Sequence, residues 1–234
     1  TIVMRNGENR CRLEKIGVSL LNGKQIGKKS VRFENPPCII GCASVAGDKE
    51  GNGNFGKYFD IVEEDPLFGG NTWEEAESKM QQMAAEIALR KAGIESSEVR
   101  YMVAGDLLGQ LIATSFGIMN FNIPMFGVYG ACSTMGESMA IGSMIVDGGF
   151  ADYVVALTSS HFASAEKQFR FPLAYGTQRP YSATWTVTGS GAVVLASGNG
   201  HWQRLDNNYV YVTGATTGTI TDLSLIHISE PTRP

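Results

Sequence analysis

Histidine and cysteine are both scarce in this 234-residue chain: three histidines (His161, His201, His227) and four cysteines (Cys11, Cys38, Cys42, Cys132). So few cysteines cannot staple a chain of this length, which excludes a disulfide scaffold. Cys38 and Cys42 stand four apart, but no second Cys or His pair is spaced to complete a zinc site, and no metal is expected. If residues 38–46 form a strand, both thiols point to one face, where cysteine packs as a small hydrophobe. An excess of positive charge is also missing. Nineteen Lys and Arg against 23 Asp and Glu leave a net charge of −4, which argues against a nucleic-acid partner. No apolar run approaches the ~18–20 residues of a membrane span. The opening Thr1-Ile2-Val3-Met4-Arg5 lacks the apolar core of a secretory signal. A soluble protein without a transmembrane segment is expected. The GxxxxGK[ST] phosphate loop is absent as well.

Glycine, by contrast, is abundant, with 28 residues against an average near 7%, and marks frequent turns. Residues 1–30 are basic, polar and weakly periodic, and read as an irregular lead-in. Cys38–Ala46 is a short apolar run ending at Gly47, the pattern of a buried strand. Residues 47–70, rich in glycine and charge, read as a long surface loop. Helix 72–92 follows. Thr72-Trp73-Glu74-Glu75 fits a capping box, Trp73, Ala76, Met80, Met83, Ala84, Ile87 and Ala88 form one apolar stripe, and Gly93 supplies the stop. Strands are expected at 100–105, 124–129, 153–158, 192–196 and 209–213, with helices over 110–119 and from the 130–134 turn to Val146. Gly148-Gly149 and Gly189-Ser190-Gly191 read as turns. Strands alternating with helices, several of them continuously apolar, indicate an α/β sheet covered on both faces.

Cys132 is the position with chemical content. It follows a strand, sits at the Gly130-Ala131 turn and opens a helix. A thiol at a helix N-terminus meets the positive end of the macrodipole and free N–H groups, which favour the thiolate and can hold an oxyanion. Nucleophile elbows of acyl-transfer enzymes use this arrangement. The alternative is a cysteine packed beneath a turn. A proton-transfer partner would be needed for turnover. His161, just past a strand end where open α/β sheets bind ligands, is the candidate. It could equally be a polar loop residue bonded to backbone. His201 looks like an exposed turn residue. Beyond His161, Lys167–Pro172 and Gln178-Arg179-Pro180 set cations among aromatics in a loop that could cover a pocket, Arg170 and Arg179 offering bidentate forks for a carboxylate.

Ala104-Gly105-Asp106-Leu107-Leu108, Gly130-Ala131-Cys132-Ser133-Thr134, Asp147-Gly148-Gly149-Phe150, Thr158-Ser159-Ser160-His161, Gln168–Pro172 and Thr186–Leu195 together resemble the stage V sporulation protein AD family, a thiolase-fold branch. The resemblance runs from about Asn22 to Asp222. It implies a thiolase-like layered α/β/α fold, with residues 31–185 as the first half and 186–222 as the start of the second. Residues 223–234 read as a non-native tail. It also implies binding of dipicolinic acid (pyridine-2,6-dicarboxylate), alone or as its calcium complex, and a role in its uptake into the developing spore. Membrane-embedded proteins of the same operon and a second copy of the chain are the implied partners, at the inner membrane of the spore. By the resemblance, Cys132 holds the thiolase nucleophile position. The second-half motifs that carry the thiolase His and Asn partners are missing, so reuse of the pocket for binding is favoured over acyl transfer. Cys132, Ser133, Thr134, His161, Arg170 and Arg179 are the expected ligand contacts.

Overall fold

The computed structural model describes residues 2–6, 24–107, 109–169, 186–198 and 210–216, with backbone alone for 2–6 and 166–169. In chain order the elements are β1 (Ile2–Asn6), β2 (Gln25–Ile26), β3 (Ser30–Arg32), β4 (Cys38–Gly47), α1 (Asp48–Gly51), β5 (Ile61–Glu63), α2 (Trp73–Ala92), β6 (Tyr101–Asp106), α3 (Ile112–Ile118), β7 (Met125–Gly127), α4 (Thr134–Asp147), β8 (Tyr153–Ser160), α5 (Phe162–Phe169), β9 (Gly189–Ala196) and β10 (Val210–Thr216). The strands join one sheet in the order β2-β3-β10-β4-β9-β8-β6-β7, with β1 along β10 and β5 along β4. β6 runs parallel to both β7 and β8, whereas β9 lies antiparallel between β8 and β4.

Side chains alternate across the sheet and feed two cores. On one face Met102, Val155, Leu157 and Val194 meet Met80, Ala84, Ile87 and Ala88 of α2. On the other, Val103, Val154, Ala156 and Leu195 meet Met139 and Val146 of α4. Three layers result, helix on sheet on helix, as the sequence pattern implies. Each fully buried Met80 or Leu157 contributes about 1.5–3 kcal/mol of transfer free energy.

Helix α2 forms where its stripe and caps specify it. Thr72 is the N-cap, accepting from the Glu75 N–H at 3.2 Å. The box closes one residue earlier than the pattern suggests, because the Glu75 carboxylate takes the N–H of Asn71 at 2.7 Å rather than that of Thr72. Gly93 ends the helix at φ 68°, in the left-handed region that glycine enters without a Cβ penalty.

Several expectations are revised. The 1–30 segment contains β1 and β2 and the start of β3, which its polar sequence does not signal because their register is set by long-range pairing, with β10 for β1 and β3. The 47–70 loop contains α1 and β5, and β5 is specified by its partner β4 rather than by any pattern of its own. Gly189-Ser190-Gly191 lies inside β9, paired on both sides. Lys167, Gln168 and Phe169 belong to α5 rather than to a loop. The Cys38–Cys42 expectation fails for a local reason. A bulge between Ile39 and Gly41 inserts one residue against β9 and reverses the alternation. Gly41 then faces α2, where a Cβ would stand 2.4 Å from the Ala88 carbonyl oxygen. Cys38 is buried, and Cys42 is turned out and exposed.

Candidate functional site

The carboxyl ends of the parallel strands β6, β7 and β8 lie along one edge of the sheet, and the loops that leave them carry the polar residues of interest. Beyond β7 the chain turns through a short 3-10 segment, Ala131–Ser133, into α4. Ala131 holds φ 48° without being glycine, a strained backbone of the kind found at functional turns. Cys132 follows it and is exposed. The turn is fastened from below: Thr134 is fully buried, and its hydroxyl donates to the Ala131 carbonyl oxygen (2.8 Å) and accepts from the Gly130 N–H (3.3 Å). Ser133 is exposed, its hydroxyl lying 2.6 Å from Glu137 Oε1 and 2.7 Å from the Gly130 carbonyl oxygen. A Cβ at Gly130 would sit 2.4 Å from both Ser133 Oγ and Glu137 Oε1, so a side chain there would displace that pair.

Gly105 seats this turn on the sheet. A Cβ there would stand 2.0 Å from the Val128 carbonyl oxygen and 2.7 Å from Thr134 Cγ2. The bare backbone of β6 lets the chain after β7 pass at contact, and the Val128 N–H bonds the Ala104 carbonyl oxygen at 2.9 Å. Next along β6, fully buried Asp106 organises the loop into α3. Its carboxylate accepts from the Leu111 N–H (3.3 Å), the Thr114 N–H (3.4 Å) and the Thr114 hydroxyl (2.9 Å). Those bonds hold Gln110 and Leu111 at φ 53° and 66°. Burial and the charge of Asp106 push the neighbouring Tyr129 phenol up.

His161 takes the backbone-bonded form. The imidazole is fully buried, stacked on Trp73 at 5.4 Å and on Phe162 at 5.0 Å. Nδ1 accepts from the Ala163 N–H at 3.2 Å, which places the ring proton on Nε2, and Nε2 donates to the Pro66 carbonyl oxygen at 2.8 Å. Both nitrogens therefore have backbone partners. Of the six expected contacts, the structure presents Cys132 and Ser133 at the surface and encloses Thr134 and His161. Arg170 and Arg179 lie outside the described residues, as does His201.

Sequence reasoning missed the polar cluster behind this edge. Glu77 on α2 is buried with both carboxylate oxygens bonded, Oε1 by the Ser159 hydroxyl (2.8 Å) and Oε2 by the Ser164 hydroxyl (2.5 Å). Gln81, one turn on, donates to Ser159 Oγ (2.6 Å) and Thr114 Oγ1 (3.0 Å). The available signal was spacing: Glu77 and Gln81 each stand three residues before an apolar-stripe residue, Met80 and Ala84, on the flank of the buried face. Among the described residues no group of three or more His, Cys, Asp or Glu is arranged to hold a metal ion. No helix among them is long and apolar enough to cross a membrane.

A three-layer α/β protein with a cysteine on a strained strand–turn–helix junction, at the carboxyl edge of its parallel strands, is the class defined so far. The chain belongs to a family of sporulation proteins within that class: the profile described as Stage V sporulation protein AD matches residues 27–231. The Stage V sporulation protein AD of Bacillus subtilis is 39% identical over 202 residues, covering 86% of this chain. The chain spans 57% of that relative's length. Among solved structures, 3-oxoacyl-(acyl carrier protein) synthase III of Xanthomonas oryzae is 21% identical, covering 71% of this chain and 57% of its own at a TM-score of 0.48. The corresponding Aquifex aeolicus synthase is 16% identical, covering 70% and 55% at 0.46. Cerulenin-bound OleA of Xanthomonas campestris is 18% identical, covering 71% and 58% at 0.47. Likeness of this degree carries nothing about chemistry.

Proposed function

We propose that the chain binds dipicolinic acid at the Cys132 edge and serves its uptake into the developing spore. One observation carries binding over turnover. Cys132 and Ser133 are exposed on a braced turn at the N-terminus of α4, while the histidine that could have moved protons has both ring nitrogens engaged by backbone. A planar aromatic dianion needs N–H donors and cations. The N-terminus of α4 is the proposed source of donors, and Arg170 and Arg179 are the proposed carboxylate partners. Glu137, its carboxylate against Ser133 Oγ, places negative charge beside the turn and opposes a free dianion. A calcium complex lowers that cost, and titration with and without calcium distinguishes the two forms of the ligand. The protein would act as a homodimer at the inner spore membrane, beside membrane-embedded proteins of the same operon.

The second reading is acyl transfer with Cys132 as nucleophile, favoured by the strained Ala131 backbone. Calorimetric titration of the full-length protein with dipicolinate, with and without calcium, separates the two when run beside Cys132→Ala, the Arg170→Ala/Arg179→Ala double variant and mass analysis after acyl-CoA incubation. Saturable binding weakened by both variants, with no adduct on Cys132, supports the binding reading. No binding at millimolar ligand by a folded protein, with an acyl adduct on Cys132, overturns it.

A further inference from the structure

The buried cluster around Glu77 has a directional logic that binding at the surface does not explain. The Gln81 amide nitrogen faces three acceptors, Ser159 Oγ at 2.6 Å, Thr114 Oγ1 at 3.0 Å and the Gly105 carbonyl oxygen at 3.3 Å, and its two hydrogens take the two shorter. A hydroxyl has one hydrogen, so each passes its own outward: Ser159 to Glu77 Oε1, Thr114 to Asp106 Oδ2. That half of the network has one polarity. Ser164 differs, because its single hydrogen has two acceptors in reach, Glu77 Oε2 at 2.5 Å and the His161 carbonyl oxygen at 3.2 Å. A proton arriving on Glu77 Oε2 turns that oxygen into a donor to Ser164 Oγ, and the Ser164 hydrogen rotates to the His161 carbonyl. No donor–acceptor pairing is broken and no heavy atom need move. The same frame therefore accepts the carboxylate and the carboxylic acid.

The surroundings favour the acid. Glu77 is 1% exposed and has no ion pair with Lys, Arg or His among the described residues. The charged groups bearing on it are carboxylates, Asp106 from β6 and Glu74 from its own helix. From β8 and α5 it meets the hydroxyls of Ser159 and Ser164, and the nearby His161 ring is neutral, with Nδ1 as acceptor. Burial is the main cause that pushes the Glu77 carboxyl up to about 7, with Asp106 and Glu74 adding to it against the two serine hydroxyls.

The cluster also touches the Cys132 turn. Gln81 Nε2 lies 3.3 Å from the Gly105 carbonyl oxygen, and Gly105 is the residue on which Val128 and Thr134 are seated. We propose that Glu77 is a proton-linked positioning residue: binding of an anionic ligand at the Cys132 edge is accompanied by uptake of one solvent proton at Glu77, with Ser159 and Ser164 bonded to it in both states. This rests on the reading of that edge as a site for a carboxylate ligand. An incoming anion adds negative charge to an edge that already holds Asp106, Glu77 and Glu137, and neutralising Glu77 relieves that repulsion. By linkage the effect is reciprocal, so protonation tightens binding.

Calorimetry of the full-length protein with dipicolinate tests this, run in two buffers of different ionisation heat at pH 6, 7 and 8. Uptake approaching one proton per ligand is expected at pH 8, with affinity falling by up to about tenfold per pH unit above neutrality. In Glu77→Gln, where the amide N–H replaces the acid proton as donor to Ser164, uptake falls to near zero and affinity no longer varies with pH. Ser164→Ala withdraws one donor from the carboxylate and moves the onset of uptake to higher pH, which keeps the test open should Glu77→Gln fold poorly. Binding without proton uptake, or uptake unchanged in Glu77→Gln, overturns the linkage and leaves the ligand reading standing. No binding at any pH removes both. A protonated-carboxyl infrared band that titrates near neutrality and is lost in Glu77→Gln, recorded without ligand, supports the proton site separately.

Discussion

Gly105→Ala tests whether the Cys132 turn rests on bare backbone. The new Cβ would lie 2.0 Å from the Val128 carbonyl oxygen, and real Cβ atoms stay beyond 3.0 Å, so the turn must withdraw by 3.0 − 2.0 = 1.0 Å or more. The obstacle is backbone, and no side-chain rotation relieves it. Overpacking of this kind costs about 1–3 kcal/mol. Withdrawal also stretches the bond from the Val128 N–H to the Ala104 carbonyl oxygen, worth about 1 kcal/mol. A loss of about 2–4 kcal/mol is expected in urea unfolding, with faster alkylation of Cys132 and weaker dipicolinate binding as the turn lifts. Gly136→Ala is the matched control, because nothing lies within 4 Å of its added Cβ on α4. There the helix gains up to about 1 kcal/mol. If Gly105→Ala unfolds at the same urea concentration as the parent and Cys132 reacts at the parent rate, the seating argument is wrong.

Two further outcomes follow from the buried groups. The Glu77 carboxyl is raised in the fold, so the stability it contributes is full below about pH 4.5 and is lost as pH climbs through about 7. Glu77→Gln should match the parent near pH 4 and exceed it by about 3 kcal/mol at pH 8, read from denaturant midpoints across pH. A constant difference at every pH would refute the assignment. In native protein, iodoacetamide should modify Cys132 and Cys42 and spare Cys38, whose thiol is buried and pushed up to about 12 by desolvation. Mass mapping that finds Cys38 labelled before unfolding contradicts the bulge.

Elements whose specification is local were legible in the sequence. α2 carries its cap, stripe and stop within about twenty residues, β6 and β8 are apolar runs with no competing pattern, and β9 was legible only past the Gly189-Ser190-Gly191 that reads as a turn. β1, β3 and β5 were invisible because their pairing partners lie elsewhere in the chain, a property no short window holds. The bulge at Ile39–Gly41 escaped for the same reason, since the extra residue exists only relative to β9. At the site, Cys132 was legible as a thiol on a strand–turn–helix junction. His161 was noticed for its chemistry, whereas its occupation by Pro66 and Ala163 depends on a contact 95 residues away. Glu77 drew no reading from the sequence, because its partners, Ser159 and Ser164, are brought to it only by the sheet.

The placement of β10 has a consequence for how the chain is made. It is the shared partner of β1, β3 and β4, so strands near the amino end wait for residues 210–216 before they can pair. During synthesis α2, β6, β7, α4 and β8 can assemble while β1 and β3 still lack their partner strand, and the edge of β4 that β10 will cover stays open. Closing it joins positions about 170–210 residues apart, a slow and entropically costly step. Until then that open edge is the place where a nascent or truncated chain would bind another strand, and the order of synthesis rather than any one contact sets how long the exposure lasts.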